Sequence, residues 1–237
     1  MLTGGYRLDR YLVNPGAPFA LILPGGGYWG WMNVTEGRPV ARFLNANGVN
    51  AYVLRYRLRS RGRMPLPLTD VQKAVRTIMT RDAQRVDTDH WSIWGASAGG
   101  HLACEYCNLA ATIQLPLPEA LVLLYPVVTM GEFTNRYTRW GLLGMCAPDA
   151  VIQARSVERH VTAAFPPTFI AASRTDGVVP WQNTALLAAV IKRQGGCVQA
   201  RLYRTGRHGV GLGLHSPIAG WADSALQYWR EQTRRHK

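Results

Sequence analysis

Ser97 lies at the centre of Gly95-Ala96-Ser97-Ala98-Gly99, a G-x-S-x-G spacing that suits one kind of chemistry. Where such a pentapeptide follows a buried strand and opens a helix, the chain reverses tightly. The middle residue is then forced into a strained backbone conformation, with its hydroxyl held out above the strand end. Residues 91–94, Trp-Ser-Ile-Trp, supply the strand, and the run from Ala98 supplies a helix whose N-terminal end faces any negative charge developing beside Ser97. A serine hydroxyl is a poor nucleophile until a base takes its proton, and the base needs a carboxylate to orient it. Both stand downstream: Asp176 in a turn after the apolar run 168–173, and His208 in a glycine-flanked loop after the run 197–203. Other candidates fit less well. His215 is further from its strand end, His101 is one helical turn past Ser97, His90 precedes a strand, and His160 falls in a separate segment. Asp149 or Asp223 would need an unusual chain path, and Asp82, Asp87 and Asp89 all precede the nucleophile strand.

A tetrahedral oxyanion needs fixed N–H donors, each worth on the order of 10²–10³ in rate. Pro24-Gly25-Gly26-Gly27-Tyr28 follows the apolar run 19–23, and backbone without side chains can approach a reacting carbonyl there. The N–H groups of Gly26 and Gly27, with that of Ala98, are the expected oxyanion hole. Gly25 to Gly30 also matches G-x-G-x-x-G, but a dinucleotide fingerprint must open a helix and be followed by an acid that takes the ribose. Trp29-Gly30-Trp31-Met32-Asn33 is a poor first turn and the next strand ends in Arg55, so nucleotide binding is not expected. Tyr28, Trp29, Trp31 and Trp181 adjoin these loops and are the expected substrate-binding aromatics, either stacking on sugar rings or closing a small acyl pocket. Cys104 and Cys107 form a lone C-x-x-C in a helical pattern, with no second pair or nearby His, and read as packing residues. No metal and no cofactor are expected.

Positioning these groups requires strands whose ends converge. Short apolar runs at 19–23, 50–55, 91–94, 121–125, 168–173 and 197–203 alternate with helical patterns at 38–46, 69–85, 98–111, 181–193 and 218–230. That alternation predicts an α/β fold: a mostly parallel central sheet with helices on both faces. Residues 6–13 alternate in polarity and suit an antiparallel edge strand. The long connection from Pro126 to Pro167, with Phe133, Tyr137, Trp140 and Met145, suggests a small cap or lid within 127–165. No linker divides the chain, so residues 1–237 read as a single domain.

The 237 residues are 47% hydrophobic and 17% charged, which excludes disordered and collagen-like classes. Lys plus Arg number 27 against 14 Asp plus Glu, for a formal charge of +13. Lysine stands only at Lys73, Lys192 and Lys237, so the excess is arginine. Such a charge raises polyanion partners but speaks of association before chemistry. Nucleic acid is not an expected partner. Neither is a membrane, because no run of ~18 apolar residues is free of charge. The N-terminus lacks a signal-like apolar stretch, and four cysteines without such a signal do not read as a disulfide framework. A soluble, cytoplasmic protein is expected, with homo-oligomer formation left open. Arginine is densest at Arg55, Arg57, Arg59, Arg61 and Arg63, which would share one face if the segment stayed extended; Gly62 and Pro65 argue that it does not. Whether that stretch holds an acidic substrate at the site's rim or keeps the surface soluble stays open.

With these residues in view, the chain resembles the α/β-hydrolase esterases, and within them small bacterial acetyl esterases related to acetylxylan esterases. The resemblance rests on Pro24 to Tyr28, Val53-Leu54-Arg55-Tyr56, Ser97 to Ala103, Tyr125-Pro126-Val127, Pro166 to Phe169, Asp176 to Pro180 and Gly206 to Gly209. The order Ser97, Asp176, His208 is that superfamily's order. The resemblance implies a serine carboxylesterase that hydrolyses short acyl esters, acetyl foremost, of small molecules such as acetylated sugars or xylo-oligosaccharides, without metal or cofactor. A peptidase or amidase using the same triad, and a non-catalytic basic binding protein on the same fold, are the alternatives.

Overall fold

Apolar strands that must be covered on both faces leave few arrangements, and the chain adopts the expected one. The computed structural model describes residues 5–58 and 64–235; Arg59, Arg61 and Arg63 of the basic stretch lie outside the described residues. Seven strands, β1 (Arg7–Tyr11), β2 (Pro18–Leu23), β3 (Asn50–Arg55), β4 (Asp87–Ala96), β5 (Ala120–Leu124), β6 (Thr168–Ser173) and β7 (Val198–Tyr203), form one sheet. Their order is β1-β3-β2-β4-β5-β6-β7. Only β1 is antiparallel, running against β3 with Arg7 opposite Arg55; the other pairs are parallel. Every residue of β5 and β6 is buried, as strands with helices on both sides require.

Among the described residues there are seven α-helices: α1 (Arg38–Ala46), α2 (Leu66–Arg81), α3 (Ala98–Ile113), α4 (Arg136–Leu143), α5 (Asp149–Ala154), α6 (Gln182–Arg193) and α7 (Trp221–Arg235). Leu21, Tyr52, Ile93, Leu121 and Ile170 face α2, α3 and α6 in one apolar core, which also takes in Cys104 and Cys107. Ile22, Val53, Trp94, Val122 and Phe169 face α1 and α7 in the other.

Strand β4 begins earlier than the expected 91 and α7 is shifted later than the expected 218–230, while both ends of α2 depart from the expected 69–85 for physical reasons. Helix α2 starts three residues before Thr69 and takes Pro67 into its first turn, where a missing N–H costs nothing. It stops at Arg81 because Asp82 leaves the helix to meet Arg10 of β1, Nε to Oδ2 at 2.7 Å. The connection between β5 and β6 is built from α4, α5 and a single 3₁₀ turn, Val157–Arg159.

Strand β2 has β3 on one side and β4 on the other, so the chain changes direction across the sheet between β2 and β4. A crevice opens beyond the carboxyl ends of strands at such a point, because the helices that follow depart to opposite faces. Here α1 follows β2 to one core and α3 follows β4 to the other. The start of α3 approaches the end of β2 so closely that a methyl group on Gly99 would run into the Leu23 carbonyl. Gly99→Ala is therefore expected to cost about 1–3 kcal/mol, lowering Tm by roughly 2–4 °C per kcal/mol, as read by thermal unfolding followed by circular dichroism.

Candidate active site

The turn from β4 to α3 places Ser97 at φ 52° and ψ −120°, a region that residues with a side chain seldom occupy. Its backbone is fixed from three sides. Ser97 N donates to the Leu124 carbonyl at 3.0 Å, and the Ser97 carbonyl accepts from His101 N at 3.2 Å and Val127 N at 3.1 Å. These bonds hold the strain in place and leave Oγ at the crevice.

Oγ lies 2.9 Å from His208 Nε2, and His208 Nδ1 lies 2.7 Å from Asp176 Oδ2. The other Asp176 oxygen accepts from Val178 N at 2.8 Å and Val179 N at 3.0 Å. With Asp176 accepting, the imidazole proton sits on Nδ1, and Nε2 is left to accept from the serine hydroxyl. The Asp176 side chain is 1% exposed and that of His208 is 13% exposed, so the first orients and the second faces the cleft. Tyr125 packs its ring against the imidazole, centroids 4.3 Å apart.

The loop after β2 is fastened at several points. Gly26 has φ 125°, and a side chain there would collide with the Gly30 carbonyl. Tyr56 Oη donates to the Pro24 carbonyl at 2.8 Å, and Trp31 Nε1 donates to the Tyr56 carbonyl at 2.9 Å. Gly25 N donates to Glu36 Oε2 at 2.8 Å. Tyr28 turns inward and its hydroxyl meets His101 Nδ1 at 2.9 Å, while His101 Nε2 lies 2.8 Å from the Arg155 carbonyl. A carbonyl only accepts, so Nε2 carries the proton and Nδ1 accepts from Tyr28. Burial pulls the His101 pKa down, which favours this neutral ring.

Glu36 stands in a π-helical turn, Asn33–Gly37, and is 2% exposed. Its Oε1 accepts from Tyr125 Oη at 2.8 Å, and the same hydroxyl accepts from Gly211 N at 3.1 Å. One carboxylate thus joins the glycine loop, the tyrosine under the imidazole and the loop carrying His208. Burial pushes the Glu36 carboxyl above the usual range, against the pull of the Tyr125 and Gly25 hydrogen bonds.

The cleft in front of Ser97 is about 530 Å³. Gly26, Gly27, Trp29 and Met32 line one side, and Asn135, Tyr137 and Thr138 line another. Trp29 Nε1 donates to the Tyr137 carbonyl at 2.8 Å, and Asn135 Nδ2 donates to the Val178 carbonyl at 3.0 Å, so α4 is tied both to the glycine loop and to the turn of Asp176.

The structure brings Ser97, Asp176 and His208 together, puts Gly26 and Gly27 on the same cleft, and starts α3 with Ala98 directly after Ser97. Of the four aromatics expected at the mouth, Trp29 lines the cleft. The others are placed elsewhere. Tyr28 is buried because φ 63° swings its ring into the core, Trp31 is committed to the Tyr56 carbonyl, and the Trp181 ring lies under the Arg174 guanidinium at 4.8 Å. His90 pairs with Asp87 at the amino end of β4, and His215 is exposed. Burial pushes both the Cys104 and Cys107 thiols up, as suits packing residues. Sequence reasoning missed Glu36, whose turn has no periodic signature, and did not single out Asn135 or Thr138 within the segment expected to form a cap. Tyr125 was visible within Tyr125-Pro126-Val127, but nothing local signals its contact with an imidazole.

A family model described as the alpha/beta hydrolase fold matches residues 21–212. The chain is 30% identical over 233 residues to an endo-1,4-beta-xylanase B of Butyrivibrio fibrisolvens, covering 91% of this chain and 35% of that protein. It is 27% identical over 213 residues to an acetylxylan esterase of Xylanibacter ruminicola, covering 84% of this chain and 42% of that protein. The chain thus spans well under half the length of both curated relatives. Among solved structures, an acetyl ester-xyloside bifunctional hydrolase from Caldicellulosiruptor lactoaceticus superposes with a TM-score of 0.84 at 28% identity, covering 94% of this chain and 87% of that one.

Glu36→Gln tests the buried carboxylate. The amide offers one acceptor where two donors need one each, and a buried donor left alone costs about 1–3 kcal/mol. The Glu36 pKa is raised in the fold, so its contribution to stability is complete below the ordinary glutamate range and is lost as pH rises through the raised value. The wild-type margin in Tm over the variant is expected to be larger near roughly pH 4 than near pH 8, measured by thermal unfolding across that range.

Proposed function

The chain belongs to the alpha/beta hydrolase family, and from that premise we propose that it is a serine carboxylesterase cleaving short acyl esters, acetyl foremost, of small sugars such as acetylated xylo-oligosaccharides. The observation that carries this reading is the continuous chain of hydrogen-bonding groups from Ser97 Oγ through His208 to Asp176, opening on a cleft beside Gly26 and Gly27. Relatives named for acetylxylan and acetyl ester-xyloside hydrolysis support the acetylated sugar.

His208 Nε2 takes the hydroxyl proton as Oγ attacks the ester carbonyl, and Asp176 steadies the imidazolium through Nδ1. The oxyanion rests on the N–H groups of Gly26, Gly27 and Ala98; Gly25 is excluded because its N–H is given to Glu36. The alcohol departs with the proton from His208, leaving an acyl group on Ser97. Water, activated by the same imidazole, then frees the acid and restores the serine. The segment of α4 and α5 serves as a small cap whose Tyr137 and Thr138, with Trp29, contact the alcohol or acyl portion.

Glycosidic cleavage, as in the name of the xylanase relative, fits the cleft poorly. It calls for two carboxyl groups flanking the sugar. Glu36 is the one carboxylate among the described residues that line the cleft, and both its oxygens are already engaged.

Ser97→Ala is expected to lower kcat on 4-nitrophenyl acetate by at least about 10⁴-fold with an unchanged circular dichroism spectrum. Across a chain-length series, 4-nitrophenyl acetate and propionate should turn over fastest. A rate that climbs through octanoate would argue for a lipase-like acyl site instead.

A further inference from the structure

The turn Asn33–Gly37 has two sides. Glu36, with the preceding Met32, faces the catalytic cleft, whereas Asn33 and the following Arg38 line a second cleft of about 670 Å³ shared with Arg7, Asp9 and Arg55. Its charge balance is unusual for this rim. Arg7 and Arg55 stand directly opposite each other across the β1–β3 pair, an arrangement of like charges that costs stability unless something compensates it. One carboxylate serves both: Asp9 Oδ1 meets Arg7 Nε at 2.6 Å and Asp9 Oδ2 meets Arg55 Nη2 at 2.9 Å. Arg38 adds a third guanidinium, and among the described residues it has no ion-pair partner. Arg10, which also lines the cleft, is neutralised by Asp82, and Arg57 by Asp70. Behind the cleft, Arg55 Nε is buried without a hydrogen-bond partner. Three guanidiniums therefore share one carboxylate around a cavity in the size range of small-molecule sites.

We propose that this cleft binds the anionic group, carboxylate or phosphate, of a small-molecule ligand, for which a sugar acid and a sugar phosphate are the probes. Arg55, held by Asp9, supplies a preorganised guanidinium fork. Arg38 supplies the uncompensated charge. The site does not depend on the esterase reading. It shares one wall with the catalytic cleft and none of the three groups aligned at Ser97.

The test is calorimetric titration of the wild-type chain at low ionic strength with glucuronate, with glucose 6-phosphate and with xylose as the neutral control. Saturable binding of at least one acid is expected while xylose gives none. Raising salt from about 20 to about 200 mM should weaken that binding, and Arg38→Glu should weaken it at least about tenfold. Tighter binding of glucuronate assigns the site to carboxylates, and tighter binding of glucose 6-phosphate assigns it to phosphates. Neither acid binding better than xylose overturns the proposal, as does affinity that survives in both Arg38→Glu and Arg55→Gln. Hydrolysis of 4-nitrophenyl acetate by Arg38→Glu at the wild-type rate reports an intact fold. Absence of ester hydrolysis in every form, with acid binding retained, would count against the catalytic reading alone.

Discussion

A carboxylate withdrawn from water must find donors for both oxygens, and Glu36 finds them on different elements: Gly25 N–H on the loop after β2 and Tyr125 Oη at the end of β5. Because Tyr125 Oη also receives Gly211 N–H, a single buried charge connects the glycine loop to the loop that carries His208. The distance between the proposed oxyanion donors and the proposed base is thereby set by interior hydrogen bonds. Burial disfavours the charge itself, and the two donors recover part of that cost.

The sheet supplies the second constraint. Strands β2 and β4 are neighbours whose following helices go to opposite faces, and the glycine at position 99 lets α3 begin against the last carbonyl of β2. The elbow and the glycine loop are consequently brought side by side by backbone packing, before any side chain of the site is considered. Ser97 keeps its unfavourable φ because bonds from Leu124, Val127 and His101 leave its peptide groups no alternative. His101, in turn, reaches through Tyr28 to the glycine loop, so the same helix steadies both sides of the cleft.

Much of this was legible in the residues. The edges at Asn50 and Arg55, and at Thr168 and Ser173, were visible because strands buried on both faces are unbroken apolar runs between polar turns. Ser97 and Asp176 were legible for a related reason, since each stands close behind such a run and carboxyl ends of neighbouring parallel strands converge; His208, which comes after the half-exposed edge strand β7, was marked by its glycine-flanked loop. Glu36 was not legible, since its partners lie 11 and 89 positions away and its turn shows neither helical nor strand periodicity. Tyr28 misled because aromatic residues beside a glycine loop suit a binding mouth equally well. Its destination depends on a backbone dihedral that composition does not specify. The spacing of Arg55 and Arg57 could not reveal that one is drawn to Asp9 on an antiparallel edge and the other to Asp70 on a helix, which divides the basic stretch at once.

The cleft's walls have separate origins. The groups proposed to react follow strand ends, whereas Asn135, Tyr137 and Thr138 come from the segment that leaves the sheet at β5 and returns at its immediate neighbour β6. A detour between adjacent strands can lengthen, shorten or change its side chains without shifting the register of either strand. The shape of the cleft is thus open to drift along an independent stretch of chain while Ser97, Asp176 and His208 stay under the stricter packing rules of the sheet. What the cleft admits can therefore change before the groups at Ser97 do.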